Sequence, residues 1–96
     1  MSDRAVWKFS IPVNDEWTTL PVPEGARLVG AASQFSPSSV EVWFDCDTGA
    51  AAGARTFIIV GTGHPVPEDA GDHVGMAMAL NNTLVWHIFE KAEAHR

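Results

Sequence analysis

The sequence predicts one all-β domain, a small antiparallel β-sandwich or barrel of about seven short strands with at most one short helical turn. Three observations predict it. Apolar and polar residues alternate in short runs, the period of a strand with one buried face: Trp7, Phe9 and Ile11 against Lys8 and Ser10, then Val40, Val42, Phe44 and Cys46 against Glu41, Trp43 and Asp45. Clusters of glycine, proline, asparagine, aspartate and serine interrupt these runs at roughly 8–12 residues, the spacing of sandwich and barrel turns. No segment sustains the helical period, and 96 residues suffice for one core but not for two. Neither an internal repeat nor a linker divides the chain, so residues 1–96 read as one domain with a core over about 6–91.

Each element follows in turn. Trp7 to Ile11 is the first strand, and Pro12, which has no amide hydrogen to give a ladder, bars it from continuing as a central strand. Asn14-Asp15-Glu16 is a turn. Trp17 to Leu20 is a short strand stopped by Pro21 and Pro23, a pattern tolerated at a sheet edge. Glu24-Gly25 turns into a strand from Arg27 to Ser33, whose Gly30, Ala31 and Ala32 predict close approach of another layer or chain. Ser36-Pro37-Ser38-Ser39 turns into the strand ending at Cys46. Asp47 to Ala54 is expected as a mobile surface loop, because Gly49 and Gly53 oppose the helix its alanines favour. Thr56 to Val60 is unbroken β-branched and aromatic sequence, a strand buried on both faces. Val74, Met76, Met78 and Leu80 then alternate with Gly75, Ala77 and Ala79, and Asn81-Asn82 signals a hairpin turn. Leu84, Trp86 and Ile88 stand opposite Val85, His87 and Phe89 in the returning strand. Residues 92–96 are expected to fray, with a single helical turn over Glu90 to His95 as the alternative.

Composition narrows the function classes. The net charge is −6, and the six basic residues are scattered, so no stripe exists to neutralise phosphates and nucleic acid is not an expected partner. Cys46 stands alone, which excludes an internal disulfide and a cysteine-based zinc site. Met1 to Ala5 does not read as a signal peptide, and no apolar run approaches the roughly 20 residues of a membrane-spanning helix, so a soluble cytoplasmic protein is expected. Four tryptophans exceed what a core of this size encloses easily, which points to at least one on a binding surface, with Trp43 and Trp86 as candidates.

The densest group of chemical residues is the segment from Val60 to His73. Gly61, Thr62, Gly63 and His64 form a turn directly after the buried strand, where glycines allow close approach of a ligand and free amides make an anion nest. It is neither a Walker loop nor a dinucleotide fingerprint. His64, Asp69, Asp72, His73 and His87 are the metal-type ligands, with His64, Asp72 and His73 the weak metal candidates, but their spacings match no standard zinc signature. His64 or His73 beside Glu68 or Asp69 would make an acid–base pair, yet no nucleophile elbow or Cys–His pairing accompanies them. The expectation is therefore a non-enzyme with no catalytic residue, no cofactor and no resident metal. Its candidate binding residues are Gly61, Thr62, Gly63, His64, His73, Trp43, Trp86 and His87.

Three runs carry a resemblance: Trp7-Lys8-Phe9, Val60-Gly61-Thr62-Gly63-His64-Pro65-Val66-Pro67 and Val85-Trp86-His87-Ile88-Phe89-Glu90. Together they resemble a family of small uncharacterised proteins carried mainly by phages of actinobacteria, over about Val6 to Lys91. The segment from Gly30 to Ala54 departs most from that pattern. The resemblance brings no activity or cofactor. It implies an accessory protein that works in the host cytoplasm by binding a host or phage protein; the excess tryptophan and the small-residue strands Leu28 to Ala32 and Gly75 to Ala79 add the expectation of a homo-oligomer. The alternatives are a small-ligand or nucleotide binder using residues 61–73, a minor virion or capsid-surface protein, and a metal-dependent hydrolase.

Overall fold

The computed structural model describes residues 3–92 and contains seven strands and, among the described residues, no helix. The strands are β1 (Arg4–Pro12), β2 (Thr18–Leu20), β3 (Arg27–Ala32), β4 (Ser39–Asp47), β5 (Arg55–Gly61), β6 (Ala70–Ala79) and β7 (Leu84–Lys91). They form a three-stranded sheet in the order β1-β4-β3 and a four-stranded sheet in the order β2-β5-β7-β6, with every paired neighbour antiparallel. The predicted all-β sandwich is the fold. β2 lies at a sheet edge, where its flanking prolines leave no ladder bond unmade. The tail expected to fray, and the alternative helical turn, fall largely on residues 93–96, outside the described residues; β7 itself runs to Lys91.

The core follows the period-two pattern. Val40, Val42, Phe44 and Cys46 of β4 point inward with Phe9 and Ile11 of β1, and meet Phe57, Ile59, Ala77 and Ile88 of the other sheet. Ile11, Val22, Val40, Val42, Phe44, Phe57 and Ile88 are fully enclosed. Phe44 is central: its ring meets Phe9 edge-on at 5.9 Å and Phe57 at 5.9 Å. Of the small residues of β3 expected to admit another layer, Ala31 packs against the core, whereas Gly30 faces open space; the close approach is made by β6. A Cβ on Gly75 of β6 would lie 3.3 Å from Leu28 Cδ2 of β3, so the glycine lets the two sheets close. The Asp47 to Ala54 segment is tied down on both sides. Thr48 N donates to the Asp3 carbonyl, Glu24 N to that of Ala51 and Gly53 N to that of Val22.

On the outer face of the three-stranded sheet, Glu41 is 3% exposed, because the 33–38 loop folds over it. Its carboxylate accepts hydrogen bonds from the Gln34 amide at 3.0 Å, the Ser10 hydroxyl at 2.9 Å and the Ser39 hydroxyl at 3.2 Å. Burial pushes its pKa up, but these donors and the Lys8 charge outweigh burial and hold it below the ordinary 4.5. Nearby Asp45 is also held low, chiefly by its hydrogen bonds with Arg4. A lowered folded pKa means stabilisation that is complete above the ordinary value and lost as pH falls through the lowered one. The melting temperature is therefore expected to fall below about pH 4.5. Glu41→Gln turns an amide NH2 toward these donors and should cost about 1–3 kcal/mol at neutral pH. The variant should also flatten the acid limb of a melting-temperature profile; an unchanged limb would show that Glu41 is not its source.

Candidate functional site

β5 is buried on both faces, yet only one of them meets the opposite sheet. Phe57 and Ile59 face the core, whereas Ile58 and Val60 face outward and are still 4% and 7% exposed. The cover is the chain itself. β5 and β6 both pair antiparallel with β7, so they run parallel to each other with β7 between them. Residues 62–69 must therefore cross β7 and return from the level of Trp86, paired with Gly61, to that of Lys91, paired with Ala70. That is roughly 17 Å at about 3.3 Å per strand residue. Parallel crossovers commonly use a dozen or more residues and a helix; eight residues manage it here only in extended form, which Pro65 and Pro67 favour. The two prolines also bring no amide hydrogens to be satisfied over an apolar surface. The strap is pinned at its ends, where His64 N donates to the Gly61 carbonyl at 3.0 Å and Ala70 N to that of Pro67 at 3.1 Å.

Where the strap leaves β5, three side chains form a hydrogen-bonded chain on the outer face of the four-stranded sheet. Thr62 Oγ1 lies 2.8 Å from His87 Nε2, and His87 Nδ1 lies 3.0 Å from His73 Nε2. The His73 ring also meets Phe89 edge-on at 5.2 Å. Two irregularities in β6 produce this placement. Its register against β7 shifts on either side of His73, between Ala70 and His73 and again between His73 and Gly75. Such bulges re-aim side chains; here His73 pairs with Phe89, beside His87, while Val74 and Gly75 turn to the core side.

Clefts flank the strap on both sides. One of about 240 Å³ is lined by Thr62, Gly63, His64, Val66, His87 and Phe89. The other, of about 290 Å³, lies between Asp15, Ile58, His64, Pro65 and Pro67. His64 borders both. Asp15 lines the second cleft, and Asp69 is 3.7 Å from Lys91; no ion pair among the described residues engages Asp15, Glu68 or Asp72. A larger cleft, about 530 Å³, opens at the far end of β7 between Arg55, Asp72, Glu90 and Lys91; there Arg55 and Glu90 bond to each other.

The structure thus gathers Gly61, Thr62, Gly63, His64, His73 and His87 in one place and leaves the two tryptophans elsewhere. Trp43 stands half-buried on the outer face of the other sheet, between Lys8 of β1 and Gly30 of β3. Trp86 packs inward against the core, with its ring over Gly61 and its indole nitrogen buried without a partner. Among the described residues no three histidine, cysteine or acidic side chains converge as metal ligands would.

A family described as a domain of unknown function (DUF7352) matches residues 2–96. The chain belongs to this family. No curated protein and no solved structure matches it. Sequence reasoning did not name several residues that border the DUF7352 domain's histidine pair. Met76 and Met78 are exposed there because the small partners in the alternation, Ala77 and Ala79, take the core side. The signal for this was the alternation itself: a small residue every second position fits a tightly packed inner face, and the bulky ones then fall outside.

Proposed function

We propose that this DUF7352 domain belongs to a small phage accessory protein of actinobacterial hosts and works by binding a protein through the outer face of its four-stranded sheet. The observation that carries this reading is the composition of that face. Val66, Met76 and Met78 keep 45–47% of their surface exposed around the His73–His87 pair. Methionines make adaptable contact surfaces, and with the net charge of −6 they favour a partner that is apolar and basic.

The test is a pull-down from host lysate comparing wild type with Met76→Asp and with Val6→Asp, whose exposed side chain lies on the other sheet. A partner retained by Val6→Asp and lost, by tenfold or more, with Met76→Asp supports the reading; about 1.4 kcal/mol at the interface gives that factor. Equal capture by all three proteins overturns it. The same reading places the protein in the host cytoplasm as a homo-oligomer, and light scattering tests the assembly state. Mass spectrometry of purified particles separates it from a virion-surface role.

A second reading has its own support. His64 borders two small clefts, and it belongs to the run shared in the resemblance. A thermal-shift screen of nucleotides and divalent ions, with His64→Ala as the comparison, tests a small-ligand binder. A shift in wild type that vanishes in the variant supports this reading, and no shift with any compound removes it.

A further inference from the structure

We propose that Thr62, His87 and His73 form an acyl-transfer triad, with the Thr62 hydroxyl as nucleophile, His87 as its base and His73 as the group that orients the base. The proposal is independent of the protein-binding reading. It starts from where hydrogens go. The Thr62 hydroxyl has two acceptors, His87 Nε2 at 2.8 Å and the Val85 carbonyl at 3.4 Å, and the imidazole is much the nearer. With the hydroxyl donating to Nε2, the proton of His87 sits on Nδ1, which faces His73 Nε2 at 3.0 Å and donates to it. In this tautomer His87 aims a lone pair at the hydroxyl while His73 accepts from its other nitrogen, the arrangement of a nucleophile, a base and an orienting group. None of the three belongs to the buried core.

The surroundings supply what such a hydroxyl needs. Thr62 sits exposed between Gly61 and Gly63 in the turn directly after a buried strand. A Cβ on Gly61 would crowd the Trp86 ring at 3.1 Å, and Gly63 has φ 89°, the left-handed region that favours glycine. The Gly63 amide makes no hydrogen bond among the described residues, and it adjoins the hydroxyl as a donor for a developing oxyanion. The cleft of about 240 Å³ beside the hydroxyl presents Val60, Val66 and Phe89, which suits an apolar acyl chain. The net charge of −6 disfavours an anionic one. The substrate class is therefore an uncharged, short-chain acyl ester.

In the reaction Thr62 Oγ1 attacks the ester carbonyl carbon while His87 Nε2 takes the hydroxyl proton. The tetrahedral intermediate collapses, its bond to the alkoxy oxygen breaks, and the departing oxygen takes the proton from His87, leaving the acyl group on Thr62. Water then gives a proton to His87 and attacks the acyl carbon; the carboxylic acid leaves, and Thr62 regains its hydrogen. The sum is ester plus water to acid plus alcohol.

The test is incubation of the full-length protein with 4-nitrophenyl hexanoate, followed by intact-mass analysis and peptide mapping. A hexanoyl group on Thr62 is expected, absent in Thr62→Val and retained in Thr62→Ser. His87→Gln should slow acylation of Thr62 by about a hundredfold, the lower end of what a positioned base contributes, and His73→Gln by about tenfold. Thermal melts run beside each variant, and Thr62→Ser shows whether a lost adduct reflects a lost hydroxyl or a lost fold. Absence of any adduct, an adduct on a histidine or lysine instead, or an unchanged rate on Thr62 in His87→Gln would overturn the proposal.

Discussion

Phe44→Ala should destabilise the domain by about 3–5 kcal/mol, the usual cost of emptying a phenylalanine site in a core. The residue is fully buried, at the middle of the middle strand of its sheet, and its ring is shared between Phe9 from β1 and Phe57 from the opposite sheet. Neither neighbour can collapse into the space without abandoning its own contacts, so the cavity persists. Small domains have only about 5–15 kcal/mol to lose. At about 4–8 °C per kcal/mol for a domain of this size, the melting temperature should drop by about 12–40 °C. Phe44→Leu, which keeps most of the volume, should lose much less. Urea titration of the three proteins measures this, and a loss under 1 kcal/mol for the alanine variant would mean that the aromatic cluster does not hold the two sheets together.

The fold class was legible because a sandwich leaves its mark on every strand. Val40, Val42, Phe44 and Cys46 alternate with residues of the outer face, and turn residues separate the runs at sandwich spacing. The run from Thr56 to Val60 also declared itself as buried on both faces. What covers its second face was not legible. Nearest-neighbour reasoning sets β6 beside β5, but β7 lies between them, and only that order turns residues 62–69 into a strap over Ile58 and Val60. The same order joins the site. Thr62 and His87 are far apart in sequence, and they meet because β5 pairs with β7. His73 joins them through register shifts in β6, and a bulge there has no mark in Asp72-His73-Val74 that a sequence reader could use. Glu41 shows a different limit. Its alternation places it on the outer face, correctly, but nothing in the alternation shows that the adjoining 33–38 loop folds back over it.

Arg55→Met should be the second most damaging change, and its cost should depend on Glu90. Arg55 looks like a surface residue in an alanine- and glycine-rich loop, yet it closes one end of the sandwich. Its Nε and Nη2 donate to the two Glu90 oxygens at 2.8 and 2.9 Å, and its Nη1 donates to the Ala26 carbonyl. The guanidinium also lies over the Phe44 and Phe57 rings at 5.5 and 5.7 Å. The two side chains are only 29% and 25% exposed, so each is partly desolvated and relies on the other. Removing the arginine leaves the Glu90 carboxylate facing aromatic rings with no cation. The cost should be about 2–4 kcal/mol, somewhat below the 3–5 typical of a fully buried pair because water still reaches this one. The double variant Arg55→Met with Glu90→Met should recover much of that loss, since an apolar pair of similar reach often replaces an ion pair at little cost. The double-mutant cycle isolates the coupling, expected at about 1–3 kcal/mol and weakly dependent on salt. A coupling under 0.5 kcal/mol, or one abolished by 0.5 M salt, would place the pair with ordinary surface ion pairs, and the end of the sandwich would then be held by Val22, Ala26 and Phe57 alone.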